Sequence, residues 1–224
     1  MEYRKLPHGE EQISVIGMGS SVVGEQKEKD IIQTVQVALE QGVNFFDMAG
    51  GHSAIFPAYG KALQGQRDKA LLQVHFGADY TSGEYGWTTS LEAVKRSVDW
   101  QLKMLKTDYI DFGFLHCIDE SADLHEVEKA GVIRYMEELK GAGVVRHIGL
   151  SSHTPLLVNE VLDMGILDML MFSINPAYDY AGGTEPNYAA DSYAVGSVAE
   201  RMNLYRRCEA EGVGISVMKA FSGG

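Results

Sequence analysis

Residues 107–116 read TDYIDFGFLH, and residues 143–153 read GVVRHIGLSSH. Each holds a strand-length, largely apolar run, Tyr109–His116 and Val145–Ser151, that ends on chemically versatile side chains. Such runs, not strictly alternating, are what strands covered on both faces of a parallel sheet look like. Gly143 stands where a helix stops before the second run begins. Working outward, the same unit recurs. Ile13–Gly17, Val43–Asp47 and Ala70–Phe76 precede it, and Met169–Ile174 and Gly214–Met218 follow. Amphipathic helices lie between: Ile31, Val35, Ala38 and Leu39 share a face, as do Leu91, Val94, Val98, Leu102 and Leu105, and later Val198, Met202 and Tyr205. Gly42 and Gly212 mark further helix ends.

Strand–helix units in unbroken alternation predict an α/β chain with a parallel sheet. The fold expected is a TIM (β/α)8-type barrel lacking its eighth β/α unit, with residues 1–224 forming one barrel domain and Met1–Gln12 a hairpin that caps its bottom. The sequence stops at Phe221-Ser-Gly-Gly, just past the seventh strand. An unpaired apolar edge is an aggregation hazard, so a fragment of a longer polypeptide is the preferred reading over an open barrel.

Bulk properties narrow the function. With 19 basic and 31 acidic residues the net charge is -12, which excludes a surface built to neutralise nucleic-acid phosphates. No stretch approaches the roughly 20 apolar residues that span a bilayer, and the N-terminus has no apolar core of signal-peptide length. Cys117 and Cys208 form no CxxC pair and no disulfide framework. A cytoplasmic setting follows from these three readings.

Chemistry in such a barrel sits at the C-terminal strand ends. Those ends carry Asp47, His75, His116, Ser151, Ser152 and His153, with His52 shortly after Asp47. A lone histidine is more often structural than catalytic, but several on one rim favour function. Two long loops on the same face, Gly77–Ser90 and Pro176–Gly196, hold Tyr80, Tyr85, Trp87, Tyr178, Tyr180, Tyr188 and Tyr193. They serve either as loop packing or as pocket lining. The rim admits two chemistries: metal binding, which no HxH or HExxH spacing supports, and carbonyl reduction with a positioned acid.

The runs EYRKLPHGEEQISVIGMGS (2–20), GVNFFDMA (42–49), TDYIDFGFLH (107–116) and GVVRHIGLS (143–151) together resemble the ordered signatures of aldo-keto reductases. MFSINPAY (171–178) and GVGISVMKAFSGG (212–224) are similar to a subgroup whose longer members carry a C-terminal ferredoxin-like segment. The resemblance implies reduction of an aldehyde or ketone by NADP(H) or NAD(H), and 4Fe-4S clusters only in a longer form of the chain. The family uses Asp, Tyr, Lys and His. Asp47 and His116 match two of them, while His52 stands at the Tyr position and His75 at the Lys position. Either His52 or His75 is expected to serve as the acid, stabilised by Asp47. Ser151 and Ser152 match the pair that holds the nicotinamide carboxamide, and the resemblance implies further cofactor contacts at Asn175 and at Lys219 or Phe221. Tyr59 reads as packing, and Met171 replaces a usual Gln. No metal is expected. The rivals are a metal-dependent lyase or hydrolase using His75, His116, His153 and Asp47, and a degenerate barrel acting as a scaffold. The carbonyl substrate, the choice of NADP or NAD and the oligomeric state are left open.

Overall fold

The computed structural model describes residues 1–181 and 195–221; Tyr188 and Tyr193 lie outside the described residues. The chain opens with β1 (Tyr3–Lys5), β2 (Gln12–Ser14), β3 (Met18–Gly19), α1 (Glu28–Glu40) and β4 (Phe45–Asp47). Then come α2 (Ile55–Ala62), β5 (Leu71–Phe76), β6 (Ala78–Asp79), β7 (Gly86–Trp87), α3 (Leu91–Leu105) and β8 (Ile110–Leu115). It continues through α4 (Ser121–Ala130), α5 (Val132–Gly141), β9 (Val145–Ser151), α6 (Pro155–Leu162) and β10 (Met169–Ser173), and ends with α7 (Pro176–Ala181), α8 (Val198–Glu211) and β11 (Gly214–Met218). Seven strands form one parallel sheet in the order β11-β10-β9-β8-β5-β4-β3. The sheet curls so that both outer strands, β3 and β11, line one groove of about 550 Å³ together with Asp47. Among the described residues the architecture is therefore a curled, parallel (β/α) barrel of seven strands.

Strand alternation divides the core in two. Phe46, Leu72, Val74 and Phe76 point outward and pack beneath the helices. Phe45, Leu71, Phe112, Phe114, Met169 and Met171 point inward, where Leu6 and Ile13 join them from the N-terminal side. The N-terminal segment is a hairpin that runs on to Ser14: β1 and β2 pair antiparallel, with Tyr3 opposite Ser14. Helix ends also fall as the glycines foretold, since Gly42, Gly143 and Gly212 hold φ of 86°, 76° and 70°, where a side chain would be strained.

Two sequence expectations need correction. The first barrel strand is not Ile13–Gly17: Gln12–Ser14 belongs to the hairpin, and the barrel strand is Met18–Gly19. Ser14 and Asn44 exchange hydrogen bonds, Ser14 N–H to Asn44 Oδ1 at 2.8 Å and Asn44 N–H to Ser14 Oγ at 3.1 Å, which turns the chain between the two strands. The buried face of α8 is Arg201, Leu204 and Cys208 rather than Val198, Met202 and Tyr205. Arg201 is wholly buried because Asp179 on α7 receives its Nε at 2.8 Å. Ser197 and Glu200 cap the start of the same helix reciprocally.

Candidate active site

Register builds the site. Asp47 pairs with Gln73, and His75 pairs with Phe114, so one step further up the barrel Asp47, His75 and His116 follow one another on adjacent strands β4, β5 and β8. His116 lies just past its strand, its N–H donating to Phe76 O at 2.9 Å. All three side chains point inward by the alternation that places Phe45, Leu71 and Phe114 in the barrel interior.

They form an unbroken line of hydrogen bonds. His75 Nε2 lies 2.7 Å from Asp47 Oδ1, and His75 Nδ1 lies 2.9 Å from His116 Nδ1. His116 Nε2 in turn meets the Tyr85 hydroxyl at 3.0 Å. The two rings stand nearly perpendicular, 83° apart with centroids at 4.7 Å. Asp47 Oδ1 also accepts from Gln73 Nε2 at 3.0 Å and from Ala49 N–H at 3.2 Å. A carboxylate only accepts, so it fixes the proton of neutral His75 on Nε2 and leaves Nδ1 as acceptor for His116 Nδ1–H. His116 Nε2 then accepts from Tyr85. Burial, with His75 and His153 adding to it, holds the His116 imidazole well below its ordinary pKa. Burial likewise pushes the Tyr85 phenol up to about 12, with Cys117 adding to the effect.

A second pair borders the first. His153 Nδ1 lies 2.9 Å from Asp119 Oδ2, and Asp119 Oδ1 receives His153 N–H at 2.6 Å and Ser152 Oγ at 3.1 Å. Burial alone would raise the Asp119 carboxyl, but the His153 hydrogen bond and charge, with Ser152, hold it below its ordinary value. Tyr85, Trp87, Cys117, Asp119, Glu120 and His153 line a cavity of about 370 Å³ beside the histidine line. Cys117 occupies the left-handed region at φ 47°, and burial, more than the neighbouring Asp119, pushes its thiol up to about 12.

The other predicted residues separate. His52 is exposed, its ring has no hydrogen bond among the described residues, and its backbone bridges Glu84. Ser151 sits on the inward rim, and Ser152 is buried and committed to Asp119. Asn175 donates to Lys219 O at 2.9 Å and accepts from Tyr178 N–H at 3.0 Å, so both its polar atoms serve the fold. Lys219 adopts φ 55°. Tyr59 is fully buried, edge-on to Phe46, as expected of packing.

Gln73 and Asp119 adjoin these pairs without having been singled out from the sequence, and Tyr85 had been named there only as loop packing or pocket lining. Gln73 was within reach, since a residue two before His75 on a strand must share its face. Among the described residues no group of three or more His, Cys, Asp and Glu side chains converges to hold a metal. Among the described residues, Gln73 Oε1 and Ser173 Oγ are two of six buried side-chain polar atoms with no hydrogen-bond partner. Ser173 shares the inward face of β10 with Met171, and Gln73 Nε2 lies 3.4 Å from Met171 Sδ. A barrel mouth with an unanswered acceptor and an unanswered hydroxyl suits a ligand that carries an amide.

The profile of the Aldo/keto reductase family matches residues 15–224. The chain is similar to the "Uncharacterized oxidoreductase YqkF" of Bacillus subtilis, with 32% identity over 78% of this chain and 57% of that protein. It is also similar to the L-galactose dehydrogenase of Arabidopsis thaliana, with 32% identity over 76% of this chain and 56% of that protein. The chain thus spans a little over half the length of these relatives. Among solved structures, an aldo-keto reductase of Bacillus halodurans in its holo form superimposes with a TM-score of 0.72 at 24% identity, covering 97% of this chain and 65% of that one. An aldo/keto reductase of Klebsiella pneumoniae in complex with NADP and acetate gives a TM-score of 0.65 at 18% identity, over 97% and 68% of the two chains. With the strand order and the curl in place, the chain belongs to the aldo-keto reductase family.

Proposed function

We propose that this protein reduces an aldehyde or ketone with NADPH or NADH. The observation that carries the reading is the line Asp47–His75–His116 at the mouth of the barrel, where a proton can be held against a carboxylate beside a cavity. Ser151, Gln73 Oε1 and Ser173 Oγ are the groups available to hold a nicotinamide, and Lys219 lies beyond the seventh barrel strand on the same face. The cofactor supplies a hydride when bound. This chain's residues do the rest. Asp47 orients His75, Gln73 steadies Asp47, and His116 presents a neutral imidazole to the Tyr85 hydroxyl. Of the two acids that the resemblance implies, His75 has the carboxylate contact and His52 does not.

NADPH binding by the full-length protein, followed by fluorescence quenching and thermal shift, tests the cofactor. NADPH oxidation in the presence of 4-nitrobenzaldehyde tests the reaction. His75→Ala is expected to lower turnover by about 100-fold or more, the usual worth of a positioned acid. His52→Ala is expected to leave it within a few-fold. If both variants match the natural protein, the assignment is wrong.

Two finer readings rest on less. Membership of the iron–sulfur subgroup is supported by residues 171–178 and 212–224 alone, and iron analysis of the full-length protein tests it. A cytoplasmic setting is supported by two free cysteines. No helix among the described residues is long and apolar enough to cross a membrane.

A further inference from the structure

We propose that Tyr85 is the terminal proton donor of this site, fed through His116 and His75 from a proton stored beside Asp47. The proposal rests on the reductase reading above and adds a residue that the family resemblance does not supply. Its basis is the continuity of the line: Asp47 to His75 at 2.7 Å, His75 to His116 at 2.9 Å, His116 to Tyr85 at 3.0 Å. The first three members are buried or nearly so, whereas Tyr85 is 43% exposed and borders the 370 Å³ cavity. The line therefore has a wet end, and that end is a phenol.

The Nδ1-to-Nδ1 contact permits only one proton between the two rings, which makes the line directional. In the loaded state His75 is an imidazolium. Its Nε2–H donates to Asp47 and its Nδ1–H to His116 Nδ1, while His116 Nε2–H donates to the Tyr85 oxygen and the Tyr85 O–H points to the substrate oxygen. Reduction breaks the carbon–oxygen π bond. The carbonyl carbon accepts a hydride from the reduced nicotinamide, which becomes oxidised, and the carbonyl oxygen takes the Tyr85 proton. Tyr85 recovers a proton from His116 Nε2, and His116 Nδ1 takes one from His75. The line ends one proton poorer, with His75 neutral, His116 carrying its proton on Nδ1, and Tyr85 donating to His116 Nε2. This final state is the arrangement that a carboxylate-bound neutral His75 dictates. Solvent reloads it.

The surroundings favour this order. Asp47 is the carboxylate in contact with either ring, so the stored charge belongs on His75, and burial keeps His116 neutral. The other titratable groups nearby are His153, Cys117, Asp119, Glu120 and Asp123 around the cavity, and Tyr80, whose ring centroid lies 5.9 Å from that of Tyr85. A phenol raised this far holds its proton at neutral pH, so Tyr85 gives that proton up only as His116 replaces it. The segment that carries Tyr85 is held in place by Trp87 Nε1 donating to His116 O at 3.1 Å and Ser53 Oγ donating to Gly83 O at 2.7 Å.

The test uses the full-length protein, NADPH and 4-nitrobenzaldehyde, with Tyr85→Phe as the variant. The expected result is a kcat lower by about 100-fold, the usual worth of a positioned proton donor, with the NADPH dissociation constant unchanged. The solvent deuterium isotope effect on kcat should change with it. Long-range proton–nitrogen spectra of the free natural protein should place the neutral-state protons on His75 Nε2 and His116 Nδ1, a readout that needs no variant to fold. A Tyr85→Phe protein that binds NADPH and keeps kcat overturns the relay and leaves the reductase reading intact. Protons found on His75 Nδ1 and His116 Nε2 in the neutral state overturn it as well. A natural protein that neither binds nor oxidises NADPH overturns the reductase reading and the relay's role with it.

Discussion

Replacing Arg201 by Met is expected to be among the most damaging single changes outside the site. The guanidinium is wholly buried and serves several partners at once. Nε donates to Asp179 Oδ1 at 2.8 Å, Nη1 to Val195 O at 3.1 Å, and Nη2 both to Ser173 O and to Tyr205 Oη at 3.2 Å, while its plane lies 4.9 Å from the centre of the Phe172 ring. Met fills much of the same volume, so packing loss is small. What is lost is satisfaction. Asp179 keeps the Tyr205 hydroxyl at 2.6 Å but loses its cation, and two backbone carbonyls lose their donor. Removing one partner of a buried ion pair costs about 3–5 kcal/mol, chiefly because the other charge stays behind. With a urea m-value of about 2–3 kcal/mol/M, the unfolding midpoint should fall by roughly 1–2.5 M. Equilibrium unfolding in urea, followed by far-ultraviolet circular dichroism, measures it. Arg201→Met combined with Asp179→Leu should recover part of the loss, because the stranded carboxylate is then gone. A single-variant cost below about 1 kcal/mol would refute the argument, since it would mean that Asp179 finds water or another donor at no penalty.

Gly149→Ala puts a methyl 2.4 Å from Phe114 Cε2 inside the barrel, so overpacking should cost about 1–3 kcal/mol, read as a lower thermal midpoint. His147 lies between Asp168 and Glu11; burial opposes its charge, but the two carboxylates outweigh this and raise its pKa. Its contact with Glu11 at 3.0 Å is not aligned for a hydrogen bond and acts as a charge pair. The folded state therefore binds this proton more tightly. The stability it adds is fully present below the unfolded value near 6.5 and is lost as pH rises through the folded value. Unfolding free energies from pH 6 to 9 should show that decline, and His147→Gln should flatten it. His116 has the opposite sign: its depressed folded pKa makes the unfolded chain the better proton acceptor below about pH 6.5, so the fold weakens as pH falls from there. Ring-carbon proton shifts should show His116 still neutral at a pH where His147 is charged; a His116 titration near 6.5 would contradict its burial.

The barrel was legible because its strands carry their information in period two. Alternation alone puts Leu71, Gln73 and His75 on one face of β5, and Phe112, Phe114 and His116 on one face of β8 and its extension. The rim histidines were legible for the same reason. The failures have physical causes. α8 was read by hydrophobic period, and a buried arginine paired with Asp179 defeats that signal. The first barrel strand was displaced by the Ser14–Asn44 exchange, a contact between residues 30 apart that no local pattern announces. Tyr85 was one of several loop aromatics; what distinguishes it is the path of its loop, fixed by Trp87 and Ser53. The resemblance drew attention to His52 as well, whose backbone bridges Glu84 and whose part in the reaction the His52→Ala variant tests.

The curled sheet has consequences for where the molecule loosens first. Among the described residues β3 and β11 are hydrogen-bonded to a neighbour strand on one side only, so amide protection should grade inward from both margins and peak at the central strands β8 and β9. Asp47 belongs to a three-residue strand next to the β3 margin, while His116 follows a six-residue strand held on both sides. The two ends of the histidine line thus sit on unequal ground. A brief opening at the β3 margin would free Asp47 while His116 stayed in place, so amide exchange at Phe46 and Asp47 should run well ahead of exchange at Gly113 and Phe114.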